Sequence, residues 1–195
     1  LQPGNEVMVS WRGRLENQLG TYAVELRNAR SASFLNFPSK LGVLNSACAI
    51  LSVTLMEREA HPALYKALQI LLDTLERVDD RPENWGALLV QWEIGLLAEL
   101  GFGLDFSCCA ATGVTEDLVY ISPKSGRAVS REAGAPYHDK MLNLPKFLCG
   151  GGEINESDIR DGLHLSEFFL ERYVLQPNNK KIPQARRMLL DYLTY

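Results

Sequence analysis

"SCCAATGVTEDLVYISPKSGRAVSREAGAPY", Ser107–Tyr137, has the layout of a small two-knuckle metal ribbon that lacks its metal ligands. The cysteines Cys108 and Cys109 open a tight turn, a short apolar strand follows, and a Pro-Lys-Ser-Gly hairpin leads into a second strand and another turn. A structural zinc needs four nitrogen or sulfur ligands, usually held as two pairs on tight knuckles. Cys109 stands at the first knuckle, but Thr112 occupies the partner's place, and Ser130 and Ala133 take the second. Alanine has no lone pair to give, and His138 and Cys149 could not easily rebuild the set. No metal and no cofactor are expected. Cys108 or Cys109 with His138 and Asp139 would be a nucleophile, base and orienter on paper. His138 and Asp139 are sequence neighbours, however, and nothing marks an oxyanion hole or a nucleophile elbow. Buried cysteines are commonly inert, so no catalytic residue is expected.

Helical periods surround this insert, which spans about residues 105–140. From Pro38, "SKLGVLNSACAILSVTLMERE" is apolar nearly all round and reads as a central helix. "HPALYKALQILLDTLERV" carries the stripe Leu64, Leu68, Leu71, Leu72, Leu75, Val78, with Pro62 at its first helical position. Asn84 is the expected cap of "WGALLVQWEIGLLAEL", which stops at Gly101. Beyond the insert, "LNLPKFLC" reads as a short turn and "GGGE" as a flexible connector without the Lys-Ser/Thr of a phosphate loop. Ser157 is the expected cap of "DIRDGLHLSEFFLERYVL", and Pro183 opens a last helix, "PQARRMLLDYLTY".

At the other end, "EVMVSWRGR" and "GTYAVELR" alternate and predict a half-buried antiparallel strand pair, with Trp11 on the core side. Two strands alone are marginal in water, so the pair belongs to a larger barrel or packs on the helices. The chain starts without a methionine and reads as beginning inside a larger unit. The fold class is therefore α+β: a bundle of about five helices, a degenerate ribbon-like hairpin insert, and two leading strands.

Bulk properties narrow the function classes. The 195 residues suffice for one good core, and the net charge of −4 excludes coating nucleic acid by bulk charge alone. Four cysteines with no Cys-x-x-Cys pair suit a reduced, cytoplasmic chain. The longest apolar run, residues 41–56, is too short and too polar to span a bilayer, and no signal peptide is visible.

Local cation clusters remain. Lys124 and Arg127 flank the hairpin turn, Arg131 and Lys140 follow, and Arg12 and Arg14 end the first strand. Placed on protruding elements, such groups can contact phosphates without reading bases; the plain alternative is a solvated turn. Lys180, Lys181, Arg186 and Arg187 crowd the start of the last helix, where the macrodipole disfavours cations. A bound anion would offset that repulsion, as would pairing with Glu167, Glu171 or Asp191.

The segments "LVQWEIGLLAELGFGLDFS", "YISPKSGRAVSREAGAPY" and "FFLERYVL…KKIPQARRMLLDYL", in this order and spacing, resemble the RecO family of bacterial recombinational DNA repair proteins along the whole chain. The resemblance implies an N-terminal OB-fold, of which residues 1–35 would be the C-terminal remnant, and a helical domain over 36–195 with a zinc-ribbon-like insert. The family's zinc ligands fall on Cys109, Thr112, Ser130 and Ala133, and only the first is a thiol. It further implies a non-catalytic, nucleoid-associated bacterial protein that binds and anneals single- and double-stranded DNA. Its partners would be the acidic tail of the single-stranded DNA-binding protein, RecR and, through loading onto the strand, RecA. Nucleic-acid contacts are expected at Arg12, Arg14, Lys124, Arg127, Arg131 and Lys140. Contacts to the tail are expected at Lys180, Lys181, Arg186 and Arg187, with Arg172 and Phe169 on the preceding helix. The rival expectation is a helical docking module for an acidic partner tail that binds no DNA itself.

Overall fold

The computed structural model describes residues 2–13 and 19–193. Alternating residues form two strands, β1 (Glu6–Arg12) and β2 (Thr21–Asn28), paired antiparallel with Val9 opposite Val24 and Trp11 opposite Tyr22. The expected half-burial is not found. The ribbon is open to solvent on both faces, and Trp11, expected in the core, keeps 40% of its surface exposed. Alternation selects a strand, but burial needs a second layer, and the helices pack on one another instead. The ribbon is joined to them at the one-turn helix α1 (Arg30–Ser33), where Asn5 Oδ1 accepts from the amide (2.9 Å) and hydroxyl (2.7 Å) of Ser31.

Three helices follow, α2 (Pro38–Thr54), α3 (Pro62–Arg77) and α4 (Pro82–Glu99), each with proline in its first turn, where the missing N–H costs no hydrogen bond. Helix α2 ends at Thr54 and does not reach Glu59; Thr54 Oγ1 donates to the Ile50 carbonyl and Leu55 turns extended. The α3 stripe is buried as its spacing demands, at Leu64, Leu71, Leu72 and Leu75. Asn84 is not the cap of α4. It lies inside the first turn, and its Nδ2 reaches back to the Asp79 carbonyl at 3.3 Å. The stop at Gly101 is as expected and its geometry is explicit. Gly101 takes φ +86°, its amide donates to Ala98 O (3.0 Å), and the Phe102 amide donates to Leu97 O (2.8 Å). This is a Schellman closure, which needs a left-handed residue after the helix.

The insert is a three-stranded sheet in the order β4-β3-β5. β3 (Leu118–Ile121) and β4 (Ala128–Ser130) form the expected hairpin; after the one-turn helix α5 (Arg131–Gly134), β5 (Leu142–Asn143) pairs with the free edge of β3, where a plain turn was expected. Helix α6 (Glu156–Phe169) is capped by Asn155 and not by Ser157. Asn155 Oδ1 accepts from the Asp158 amide (3.0 Å) while Asp158 Oδ2 accepts from the Asn155 amide (3.1 Å), a reciprocal capping box. The helix then widens into a π segment, Leu170–Leu175. The last helix, α7 (Gln184–Arg187), lasts one turn and continues as a 3-10 segment, Met188–Leu193.

The core lies between α4 and α6, where Trp85, Leu89, Leu96 and Leu97 meet Ile159, Leu163 and Phe169. Gly86 permits the close approach, since a Cβ there would stand 2.2 Å from Ile159 Cγ2. At the centre sits the main correction to the sequence expectations. Arg186, expected on a cationic surface patch, is fully buried. Its Nε donates to Glu93 Oε1 (2.6 Å) and its Nη2 to Glu93 Oε2 (3.0 Å) and the Leu163 carbonyl (2.9 Å). Ser166 Oγ donates to the same carboxylate (2.5 Å), and Glu167 lies 3.6 Å from Nη1. Glu93 therefore supplies the counter-charge that the crowded cations called for, with Glu167 as a second partner.

Candidate nucleic-acid interface

The Schellman closure of α4 fixes where Phe102 emerges, between Gly101 and Gly103. Phe102 keeps part of its ring surface open to solvent. Tyr173 follows Phe169 by four residues on the facing element. The Tyr173 ring lies 5.8 Å from Phe102 at an interplanar angle of 30° and 5.8 Å from Phe169 at 10°. Three rings thus form one column, with Phe169 buried at its inner end and Phe102 exposed at its outer end. Phe168 meets Phe169 edge-on at 5.2 Å. The Arg172 guanidinium lies 5.7 Å from the Tyr173 centroid and 5.8 Å from that of Phe168, within cation–π range. The Tyr173 hydroxyl donates to the carbonyls of Lys124 (3.3 Å) and Pro123 (3.4 Å), tying the hairpin turn to the column.

Two hollows meet at this column, sharing Phe102 and Tyr173 as a common wall. The first, of about 240 Å³, is closed by the hairpin residues Lys124, Ser125 and Gly126. The second, of about 300 Å³, is lined by Leu55, Met56, Pro177 and Lys180 among others. Glu59 and His61 also line it, 3.6 Å apart, and His61 lies 3.5 Å from Glu99 on its other side. The result is an aromatic wall with one lysine on each side.

The structure regroups the residues picked from sequence. Lys124, expected to contact DNA, and Phe169, Arg172 and Lys180, expected to contact a protein tail, converge on this column. Lys180 also donates to the Val53 carbonyl at 2.7 Å. Lys181 and Arg187 are exposed. Arg186 and Phe169 are buried and offer no surface to a partner tail, because one neutralises Glu93 and the other forms the column's inner end. On the insert, Arg127 pairs with Asp105 (3.3 Å) and Arg131 with Asp117 (3.1 Å), both exposed. The Ser107 hydroxyl and amide, and then Arg127, hold the Asp105 carboxyl below the usual carboxylate range. Lys140 and Arg12 are exposed and form no ion pair among the described residues. Arg14 lies outside the described residues. Sequence reasoning missed Phe102 and Tyr173. The glycine-flanked "GFG" after a helix was a usable signal for the first. For Tyr173 the signal was its spacing of four from Phe169, which sets both rings on one helix face.

The metal-like knuckle is built differently from a zinc site. Cys109 is buried, and its sulfur accepts from the Ser130 amide at 3.3 Å. Burial pushes the thiol up, but hydrogen bonds from the Ser130 and Thr112 hydroxyls and the Ser130 and Ala111 amides outweigh it and bring it down to about 6. Of the four knuckle positions only Cys109 offers a sulfur and Ala133 has no ligand atom, so the donor set does not fit zinc. Among the described residues, no cluster of three or more His, Cys, Asp or Glu side chains is placed to hold a metal ion. None of their helices is long and apolar enough to cross a membrane.

Residues 37–182 match the family model described as "Recombination protein O C terminal". A protein named DNA repair protein RecO from Caulobacter vibrioides (strain NA1000 / CB15N) is 48% identical over 194 residues, covering 99% of this chain and 78% of the relative. Its namesake in Rhodospirillum centenum is 46% identical over 193 residues (98% and 75%), and that in Phenylobacterium zucineum 44% over 195 residues (100% and 79%).

Proposed function

Since this chain belongs to the RecO family of DNA repair proteins, we propose that it is a recombination mediator that works by binding and not by catalysis. DNA repair and recombination are the field in which the family acts. In this reading the protein binds single- and double-stranded DNA and anneals complementary strands. With RecR it assists RecA onto single-stranded DNA covered by single-stranded DNA-binding protein, in the cytoplasm and at the nucleoid. Residues 1–35 would belong to an OB-fold. Residues 36–195 would form the helical domain.

The observation that carries the DNA-binding part is the aromatic column flanked by Lys124 and Lys180, because single-strand binding combines cations along a groove with rings for bases. Lys140 and Arg12 are further exposed cations, whereas the hairpin arginines Arg127 and Arg131 are paired with Asp105 and Asp117. For the acidic tail, the surface residues left from the expected set are Arg172, Lys180, Lys181 and Arg187, of which Lys180 lines the second hollow. Annealing of complementary oligonucleotides, followed by fluorescence transfer at increasing salt, tests the reading. Acceleration that falls steeply with salt is the expected result, because phosphate contacts release counterions. Tail binding without any DNA binding would make the protein a docking module only.

A further inference from the structure

We infer that Phe102 is a base-stacking residue: an unpaired DNA base caps the outer end of the Phe169–Tyr173–Phe102 column, with its flanking phosphates on Lys124 and Lys180. The assignment rests on the DNA-binding reading above and adds to it a specific subsite, on residues that no cation pattern in the sequence indicated.

Four features carry it. The rings are linked, with Tyr173 5.8 Å from both Phe102 and Phe169 in stacked orientation, so a base placed on Phe102 adds to ring contacts that already exist. Its outer ring remains 39% exposed although the chain around it is well packed. A left-handed Gly101 in the Schellman closure holds the backbone of Phe102, whose own amide donates to the Leu97 carbonyl. Finally, the two hollows divided by the Phe102–Tyr173 wall each carry a lysine, which places a cation on either side of the stacked position. Strand polarity is therefore not selected, and base identity is not read, because every base offers a π face. An acidic peptide would use the same lysines but has no need of a coplanar ring column. The Glu59 carboxylate in the second hollow lies 3.6 Å from His61.

The test compares oligothymidine with an abasic phosphodiester of the same length, binding each to the protein and to Phe102→Leu, which keeps the apolar bulk but has no π face. Phe102→Leu should weaken oligothymidine about tenfold, in the range of one stacked base, and leave the abasic strand unchanged. Phe102→Trp should retain affinity, and its added indole emission should be quenched by oligothymidine and not by the abasic strand. Unchanged oligothymidine affinity in Phe102→Leu sinks the subsite while leaving DNA binding intact. Failure of the parent protein to bind either strand sinks the functional reading itself. Loss of an acid-rich peptide with full retention of oligothymidine would reassign the cleft to a protein partner and overturn the proposal.

Discussion

Arg186 and Glu93 meet fork to fork inside the helical bundle, with Nε–Oε1 at 2.6 Å, Nη2–Oε2 at 3.0 Å and neither side chain exposed. Removing one partner leaves a buried charge without compensation, which typically costs about 3–5 kcal/mol. Glu93→Gln or Arg186→Leu should therefore lower unfolding free energy by that order in urea titrations. The double variant Glu93→Leu/Arg186→Met should recover much of it, because a well-packed apolar pair is often as stable as a buried ion pair. Arg187→Glu, one residue on and exposed, should stay within about 0.5 kcal/mol. Charge reversal at Arg186 thus reports on folding, and reversal at Arg187 can report on binding.

Cys109 makes stability depend on pH in a defined direction. Its thiol is brought from 9.0 to about 6 in the folded chain, so between pH 6 and pH 9 the unfolded chain holds a proton that the folded chain does not. Stability should rise with pH across that window, be fully gained above pH 9, and be lost as pH falls through 6. Urea unfolding of the protein and of Cys109→Ala at pH 6, 7.5 and 9 should give a difference that widens with pH. A constant difference would show that the sulfur contributes through packing alone.

Gly101 couples a helix end to the cleft. At φ +86° an L-residue is strained by roughly 1–2 kcal/mol, although the space beside it is open. Gly101→Ala should lower the melting temperature and weaken single-strand binding together, because the same turn sets the position of Phe102. Gly101→Asn should be milder on both, since asparagine tolerates the left-handed region.

Lys124 and Arg127 flank one turn but differ in commitment. Arg127 is paired with Asp105, whereas Lys124 lines the first hollow and forms no ion pair among the described residues. Lys124→Ala should reduce the slope of log affinity against log salt by about 1, as expected for one lost phosphate contact. Arg127→Ala should leave that slope closer to the parent value. Anisotropy titrations across a salt series decide it.

Legibility from sequence followed the range of the interaction. The α3 stripe and the Ser-Pro hairpin were plain because each is set by residues within a few positions of one another. Caps were displaced by two or three residues: Asn155 takes the place of Ser157, and α4 starts at Pro82 before Asn84 can act. Burial of the ribbon was misread because alternation implies a covered face without naming a cover. Arg186 was unreadable for a stronger reason. Its partner is 93 residues away, and local charge crowding resembles an anion site whether the anion comes from a ligand or from the protein's own core. The contact of Phe102 with Tyr173 lay beyond reach in the same way, since the two rings come from segments far apart in the chain.

That separation also has a consequence during synthesis. At about 5–20 residues per second, α4 leaves the ribosome many seconds before its counter-charge is made, and through that interval Glu93 has no cation to meet it in the core. The nascent bundle has reason to remain loose around that carboxylate and to lock only when the arginine arrives.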